Sequence, residues 1–184
     1  MAMAISVPRY TIADLERFPN DGNRYELLDG VLLVTPAPSH AHQIIVSRLQ
    51  LRLMQAVMIP GDGQVVGPGV ITVPPGTQLE PDILVHPARY AIDSKWEEID
   101  EHWLAVEVLS RSSRVYDREI KRDAYIALGV PEVWLVDRWN MAVEVSRAQG
   151  PGEIVRDVLH WRVPALALEV EISLTEVFAA MSTR

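Results

Sequence analysis

Apolar residues recur with the 3.6-residue period of an amphipathic helix over residues 40–58. They stand at positions 41, 44, 45, 49, 53, 56 and 57, so one face of this segment can pack on a core. A second helix is predicted from a serine-rich turn after residue 109 to residue 128, because Gly-Val-Pro follows it. Residues 11–18 and 174–180 show shorter helical patterns.

Strand patterns fill most of the remaining chain. Residues 24–34 predict a hairpin with its bend at Asp29 and Gly30. Residues 64–73 predict one bulged strand or two short ones, because Gly-Pro-Gly interrupts them. Strands are also predicted over residues 81–86, 103–109, 132–137, 142–146 and 154–161, with one more in the tail. The pattern indicates an α/β fold, and the nearly continuous apolar run at 132–137 indicates a covered central strand.

Two carboxylates interrupt the apolar strands. Asp82 follows Pro81 at the start of one strand, and Glu107 lies near the end of the next. If these strands form an antiparallel hairpin, paired residue numbers share a constant sum. Pairing 82 with 107 gives 189, whose midpoint of 94.5 is also the midpoint of the loop at 87–102. Directly opposed residues lie about 5 Å apart at Cβ, so this register brings both acids to one point.

Several interpretations of these charges remain open from the sequence. A buried carboxylate such as Glu107 is costly, and either a metal ion or a structural ion pair with Lys121 would offset that cost. Asp82 after a proline is also common in turns and at strand edges. Lys121 taken alone reads as a solvated helix residue whose ion partner is Asp117, four positions earlier.

Composition limits the functional classes. The 184 residues suit one domain, with a core over about residues 10–180, and the net charge of −8 argues against a broad basic surface. The absence of cysteine excludes disulfides and thiolate zinc sites. No apolar run approaches the roughly 20 residues of a membrane span, and no leader pattern opens the chain, so a cytoplasmic protein without membrane contact is expected.

The order Pro81-Asp82, Glu107 and then a lysine resembles the PD-(D/E)XK phosphodiesterase superfamily. A longer set of matches is similar to the Uma family of "putative restriction endonucleases" within that superfamily. This resemblance covers nearly the whole chain, from about residue 10 to 180. It rests on Arg24-Tyr-Glu-Leu-Leu-Asp-Gly30, Glu107-Val-Leu-Ser110, Asp117, Lys121, Tyr125 and Gly129-Val-Pro-Glu-Val-Trp-Leu-Val-Asp137.

The resemblance implies a restriction-endonuclease-like fold, with a central mixed β-sheet flanked by helices and additional strands near both ends. It also implies a metal-dependent endonuclease that hydrolyses phosphodiester bonds, in DNA, and acts as a homodimer. Asp82 and Glu107 would bind Mg²⁺ or Mn²⁺, and Lys121 would orient the attacking water. The family pattern expects the lysine two residues after the glutamate, where this chain has Leu109, so the role moves to Lys121.

Five further residues are candidates for supporting roles. Glu26 matches an acid in the early hairpin of the family and is a candidate auxiliary ligand, against an ordinary strand-surface role. His42 is a candidate to face the site, against a capping or surface role. The basic stretch at 110–122 supplies candidate phosphate contacts in Arg114, Arg118 and Arg122.

Two other functional classes also stay open. The net charge of −8 and the displaced lysine favour a nuclease-fold binding or assembly module with little or no catalysis. A hydrolase of small phosphoesters would use the same residue types. A serine hydrolase and a nucleotide-binding protein are disfavoured, because the chain has no Gly-x-Ser-x-Gly elbow, Walker loop or dinucleotide fingerprint.

Overall fold

A computed structural model describes residues 9–110 and 117–181 of the chain. The strands in chain order are β1 (Arg24–Leu28), β2 (Val31–Thr35), β3 (Gly63–Val66), β4 (Ile71–Val73), β5 (Thr77–Leu79), β6 (Ile83–Pro87), β7 (Leu104–Val108), β8 (Glu132–Asp137), β9 (Ala142–Arg147), β10 (Glu153–Val155), β11 (Val158–Arg162) and β12 (Glu169–Ser173). The α-helices are α1 (Ile12–Leu15), α2 (His40–Leu53), α3 (Arg122–Ala127) and α4 (Leu174–Val177). Two π-helical turns, Met54–Met58 and Asp117–Lys121, and a 3₁₀ turn, Trp96–Glu98, complete the described elements.

The strands form three sheets within the described residues. The central sheet has the order β10-β9-β8-β7-β6-β3 and is mixed, because β7 and β8 run parallel while the other neighbours are antiparallel. Every residue of β8 is buried, as its apolar run indicates. A second sheet has the order β2-β1-β5-β4, and β11 pairs with β12. The predicted α/β class, with extra strands near both ends, is confirmed.

The hairpin of β6 and β7 has the predicted register. Ile83 pairs with Val106, Leu84 with Ala105 and Val85 with Leu104, so each pair sums to 189. Continuing this register by one residue brings Asp82 opposite Glu107. The two acids therefore lie at the open end of the hairpin, and residues 88–103 connect its other end.

Two strand predictions meet different outcomes. Residues 64–73 form two short strands, β3 in the central sheet and β4 in the second sheet. The break falls at Gly67-Pro68-Gly69, where a Cβ on Gly69 would lie 2.3 Å from the Cβ of Leu84.

The single strand predicted over 154–161 is wrong. The chain leaves the central sheet after β10 and starts β11 in another sheet, and between them the carbonyl of Asp157 accepts the N–H of Leu174.

The helix predicted over 40–58 is confirmed in extent, but its final turn is π-helical. The N–H of Ile59 bonds to the carbonyl of Met54, five residues earlier. The helix predicted after residue 109 is described only from Asp117, because residues 111–116 of the preceding turn lie outside the described residues. No helix among the described residues is long and apolar enough to cross a membrane.

The central sheet separates two apolar cores. Ile45, Leu49 and Leu53 of α2 pack on one face, together with residues of β11, β12 and α4. The second sheet and α3 pack on the other face, where Ala105 and Leu109 contribute to the core. By strand alternation Glu107 points to this second face, toward β1 and α3. The fold therefore directs the one carboxylate of β7 toward the charged residues of those two elements.

Candidate active site

A cavity of about 270 Å³ lies at the open end of the β6–β7 hairpin. The segment after β2, the start of α2 and the turn after β8 complete its walls. Its lining includes Arg24, His42, Asp82, Glu107, Asp117 and Lys121. Asp82, Glu107 and Lys121, which come from three separate parts of the sequence, therefore surround one space.

Asp82 is held by hydrogen bonds to both of its carboxylate oxygens. Oδ1 accepts from Nη1 and Nη2 of Arg24, at 3.2 and 3.3 Å. Oδ2 accepts from the backbone N–H of Val108 at 2.8 Å and lies 3.0 Å from Nε2 of His42. Burial raises the pKa of Asp82, but the hydrogen bond and charge of His42, the charge of Arg24 and the Val108 N–H outweigh it, so the pKa is lowered. Asp82 is thus ionised at neutral pH.

Glu107 is almost wholly buried, with 3% of its surface exposed. Its Oε1 accepts from Nζ of Lys121 at 3.0 Å and from the hydroxyl of Tyr125 at 2.6 Å. Burial raises the pKa of Glu107 well above its usual value; the charge of Lys121 opposes this, while the charges of the neighbouring carboxylates, Asp82 first, reinforce it. Within the described residues no hydrogen bond reaches Oε2, and Glu107 lines the cavity, so this oxygen remains available as a ligand.

Lys121 is buried between two carboxylates. Nζ lies 2.7 Å from Oε2 of Glu26 and 3.0 Å from Oε1 of Glu107, and only 2% of the residue is exposed. Burial lowers the pKa of Lys121, but the charges of Glu107, Glu26 and Asp117 outweigh it and raise the pKa above its usual value. The interpretation of Lys121 as a solvated residue is therefore wrong, and the ion pair with Glu107 is present.

Glu26 and His42 both contact members of this cluster. Besides the contact to Lys121, Glu26 accepts the backbone N–H of Glu80 through Oε1 at 2.7 Å. Both oxygens of Glu26 are thus engaged by protein groups, and its position is that of a residue that holds Lys121. His42 faces Asp82, as the site hypothesis expected, while the capping of α2 is carried out by Ser39, whose hydroxyl accepts the N–H of His42.

Two of the three candidate phosphate contacts, Arg118 and Arg122, lie away from the cavity lining. Arg118 pairs with Asp137 at 3.0 Å and with Glu144 at 3.3 Å. Arg122 pairs with Asp123 at 2.8 Å and lies 3.5 Å from Glu144. Neither arginine lines the cavity, and Arg114 lies outside the described residues. The assignment of phosphate contacts to these arginines remains a prediction.

The oxygen ligands around the cavity suit a hard divalent cation. Mg²⁺ is commonly bound through one or two carboxylates while it keeps several waters. Glu107 offers its open oxygen, and Asp82 offers Oδ1, whose contacts to Arg24 are long for charge-assisted hydrogen bonds. Among the residues that the structure describes, no group of three or more Asp, Glu or His is arranged to hold a metal. Asp82 and Glu107 are thus the two candidate ligands, and water would have to complete the shell of an ion bound there.

Four residues of this region were missed as site residues by the sequence reasoning. Arg24 shares a face of β1 with Glu26 by period-two alternation, and Tyr125 follows Lys121 by one helical turn, so both periodicities carried a usable signal. Arg138 and Trp139 line the cavity from the turn after β8. The strand–helix–strand order of this part of the chain carried a signal for their position, because such a crossover makes β7 and β8 parallel and brings their ends to the same edge of the sheet.

Comparison with solved structures finds chains of similar fold. A crystal structure of "a putative nuclease belonging to DUF820 from Anabaena variabilis ATCC 29413" matches with a TM-score of 0.75 and 19% sequence identity. The match covers 92% of this chain and 97% of the other chain. At this identity the likeness shows the fold, which is restriction-endonuclease-like.

Among curated proteins none matches this chain. The family model described as "Uma2: Putative restriction endonuclease" matches residues 12–182. That range contains both acids, Lys121 and every other residue of the cavity described above. The chain belongs to the Uma2 family.

Proposed function

We propose that this protein is a metal-dependent nuclease that hydrolyses phosphodiester bonds in DNA. The observation that carries the proposal is the convergence of Asp82, Glu107 and Lys121 on one cavity. The family description and the name of the structural relative support the same reaction class. A pair of carboxylates beside a buried ammonium is chemistry suited to a cation and to the charge of a reacting phosphate.

Asp82 and Glu107 would hold Mg²⁺ or Mn²⁺ in this proposal. The bound ion would polarise the phosphate and lower the pKa of a coordinated water. Tyr125 fixes the orientation of Glu107 by donating to Oε1, which leaves Oε2 for the ion. His42 and the Val108 N–H fix Oδ2 of Asp82, so ion binding needs only the exchange of Arg24 contacts on Oδ1.

Lys121 contributes its charge from a fixed position. An ammonium has three donors: one bonds to Oε1 of Glu107, and Oε2 of Glu26 lies 2.7 Å from Nζ as an ion-pair partner. Because Lys121 also lines the cavity, the remaining donor and the positive charge can act on an attacking water and on the negative charge that develops on the phosphate. Glu26 supports this role by keeping the lysine charged and in place.

Cleavage of plasmid and oligonucleotide substrates in Mg²⁺ or Mn²⁺ tests the proposal. We expect Asp82→Asn and Lys121→Ala to lower the rate by about 10²-fold or more, as loss of one electrostatic group in an active site does. Asp123→Asn is the matched control, since Asp123 is exposed and pairs with Arg122 away from the cavity. Equal cleavage by wild type and both site variants, or no cleavage with any divalent ion and substrate, would contradict it.

One observation favours an alternative, a nuclease-fold binding or assembly module. Both oxygens of Asp82 are already satisfied by Arg24, His42 and Val108, so the carboxylate does not need an ion. Calorimetric titration with Mn²⁺ separates the two functions. A site that disappears in Asp82→Asn and Glu107→Gln supports the nuclease, and no such binding supports the module. A chromogenic phosphoester assay tests the third class, a hydrolase of small phosphoesters.

The proposed active form is a homodimer built from one domain per chain. Exposed apolar residues on an edge strand support association, since Val31 and Val34 of β2 are each more than 40% exposed. Edge strands with apolar side chains readily pair with another chain. Light scattering at micromolar concentration should give the mass of a dimer, and a monomeric mass would refute it.

A further inference from the structure

A second depression adjoins the cavity and shares Arg138 with it. Its volume is about 500 Å³, and its lining includes His40, Ala41, Ile44, Arg48, Arg138 and Met181. Among the residues that the structure describes, no carboxylate lines it, although the chain as a whole carries a net charge of −8. Two arginines therefore dominate the charge of a surface that leads directly away from the acids of the cavity.

Arg138 is presented on a rigid turn. The four residues 138–141 connect β8 to β9, and the carboxylate of Asp137 accepts the backbone N–H groups of Trp139 and Asn140, at 3.0 and 3.1 Å. Asp137 also accepts from the side-chain amide of Asn140 at 2.9 Å. The guanidinium of Arg138 lies 4.5 Å from the centre of the Trp139 ring, a distance typical of cation–π contact.

The charge of Arg138 is uncommitted within the part of the chain that the structure describes. No carboxylate there pairs with it, whereas Arg24 and Lys121, the other cations of the cavity, are each paired with acids. An unpaired guanidinium at the mouth of an acidic cavity is available to an anionic ligand. Its planar donors match phosphate oxygens in a bidentate arrangement.

Arg48 marks the far part of the depression. Its Nη1 donates to the carbonyls of Val177 and Ala179, at 2.9 and 2.8 Å, which anchors the guanidinium at the C-terminal end of α4. In the described residues no carboxylate pairs with Arg48. The N-terminal turn of α2 lies between the two depressions, with Ser39 and His42 on the cavity and His40 and Ala41 on the second depression. The positive end of that helix dipole adds to the charge of the two arginines.

We propose that the second depression is a phosphate track, along which the backbone of a nucleic-acid strand leaves the cavity. Arg138 binds the phosphate nearest the reacting one, and Arg48 binds a phosphate farther along. The identity of the ligand rests on the proposed function, whereas the path rests on charge and geometry alone. In this proposal Arg138 and Arg48 make the phosphate contacts instead of Arg118 and Arg122. The latter two arginines pair with acids of the chain, Asp137, Glu144 and Asp123.

Binding of a fluorescent single-stranded oligonucleotide, measured by anisotropy in EDTA over a range of salt concentrations, tests the track without any cleavage. The slope of log K against log salt is negative, and each lost phosphate contact reduces its magnitude by about 0.7 for a single strand, which is about fivefold in Kd at 0.1 M salt. We expect this change for Arg138→Ala. Arg156→Ala is the matched control, because Arg156 is exposed and lines neither depression, so its slope should equal that of wild type.

Adding Arg48→Gln to Arg138→Ala should reduce the magnitude of this salt-dependence slope by about 0.7 again. Equal slopes for Arg138→Ala and Arg156→Ala, or no measurable binding of the oligonucleotide by wild type, would overturn the track. Failure of the proposed function is distinguishable from failure of the track. If oligonucleotide binding depends on Arg138 but no metal supports cleavage, the track is supported and the nuclease function is contradicted. If cleavage is metal-dependent but Arg138→Ala leaves the salt-dependence slope unchanged, the nuclease function is supported and the track is contradicted.

Discussion

The placement of Lys121 between Glu26 and Glu107 predicts a large and pH-dependent loss of stability on Lys121→Met. Methionine keeps most of the side-chain volume but leaves two buried carboxylates without their shared counter-charge, at positions where Nζ lay 2.7 and 3.0 Å away. Removing one partner of a buried ion pair costs about 3–5 kcal/mol. We therefore expect the free energy of unfolding at pH 7.5 to fall by about that amount.

The sign of the pH dependence follows from the carboxylates that remain. Lys121 lowers the pKa of Glu107, which burial already raises, so its removal raises that pKa further. At pH values between the ordinary carboxylate pKa and this raised pKa, the folded variant therefore binds more protons than the unfolded chain. Stability of the variant relative to wild type therefore rises as pH falls through this window, and the deficit at pH 5 should be smaller than at pH 7.5.

Urea unfolding followed by tryptophan fluorescence measures both effects. Lys95→Met is the matched control, because Lys95 is the other lysine of the chain and is exposed, and it should change the free energy of unfolding by less than about 0.5 kcal/mol. The double variant Glu107→Gln with Lys121→Met should recover part of the loss, since one orphaned charge is gone. A loss below about 1 kcal/mol that does not vary with pH would refute the burial of the lysine between two acids.

Three further substitutions probe other contacts. Tyr125→Phe removes the 2.6 Å hydrogen bond to Glu107 and should cost about 2 kcal/mol in urea unfolding. His102 is buried, and burial is the main reason that its pKa is lowered to about 4. Between pH 6.5 and pH 4 the unfolded chain therefore binds more protons than the folded chain, and stability falls on acidification. His102→Gln should therefore reduce the loss of stability between pH 7.5 and pH 5 by about 2 kcal/mol. Gly69→Ala forces a Cβ against Leu84 and should cost about 1–3 kcal/mol in thermal or urea unfolding.

Each of these substitutions has a control of the same chemistry at an exposed or open position. Tyr25→Phe removes an exposed hydrogen bond to Asp21 and should change stability little. His40→Gln makes the same substitution at an exposed position and should change the free energy of unfolding by less than about 0.5 kcal/mol. A Cβ on Gly152 meets only ordinary contacts, so Gly152→Ala should be close to neutral. If a variant and its control behave alike, the contact attributed to the buried residue is absent.

Local pattern was enough to predict the part of the site that the β6–β7 hairpin carries. Period-two alternation and the loop midpoint together determined the register that brings Asp82 to Glu107. The ion-pair partners of these acids could not be predicted in the same way, because Arg24 bonds to Asp82, which lies 58 positions later in the sequence. Such long-range ion pairs depend on how β1 packs beside the central sheet, which alternation within one strand does not determine.

The wrong strand prediction has the same physical origin. Residues 154–161 look like one strand because their apolar positions continue, yet the chain changes sheets at Arg156 and Asp157. The basic residues of the segment at 110–122 also predict phosphate contacts, and this stays a prediction, but the sequence did not show that Arg118 and Arg122 pair with acids from β8 and β9. A count of local charge does not show which charges are neutralised by other strands, and that is decided by tertiary packing.

The two ends of the β6–β7 hairpin are separated by five residues of strand, about 17 Å. The acids lie at one end, while residues 88–103 close the other, where Arg89 pairs with Glu101 and Ile92 is fully exposed. A peptide tag or a surface attachment point inserted beside Ile92 would thus sit a full strand length from the cavity. Immobilised in this way, the protein would present its cavity to substrate in solution while the loop carries the linkage.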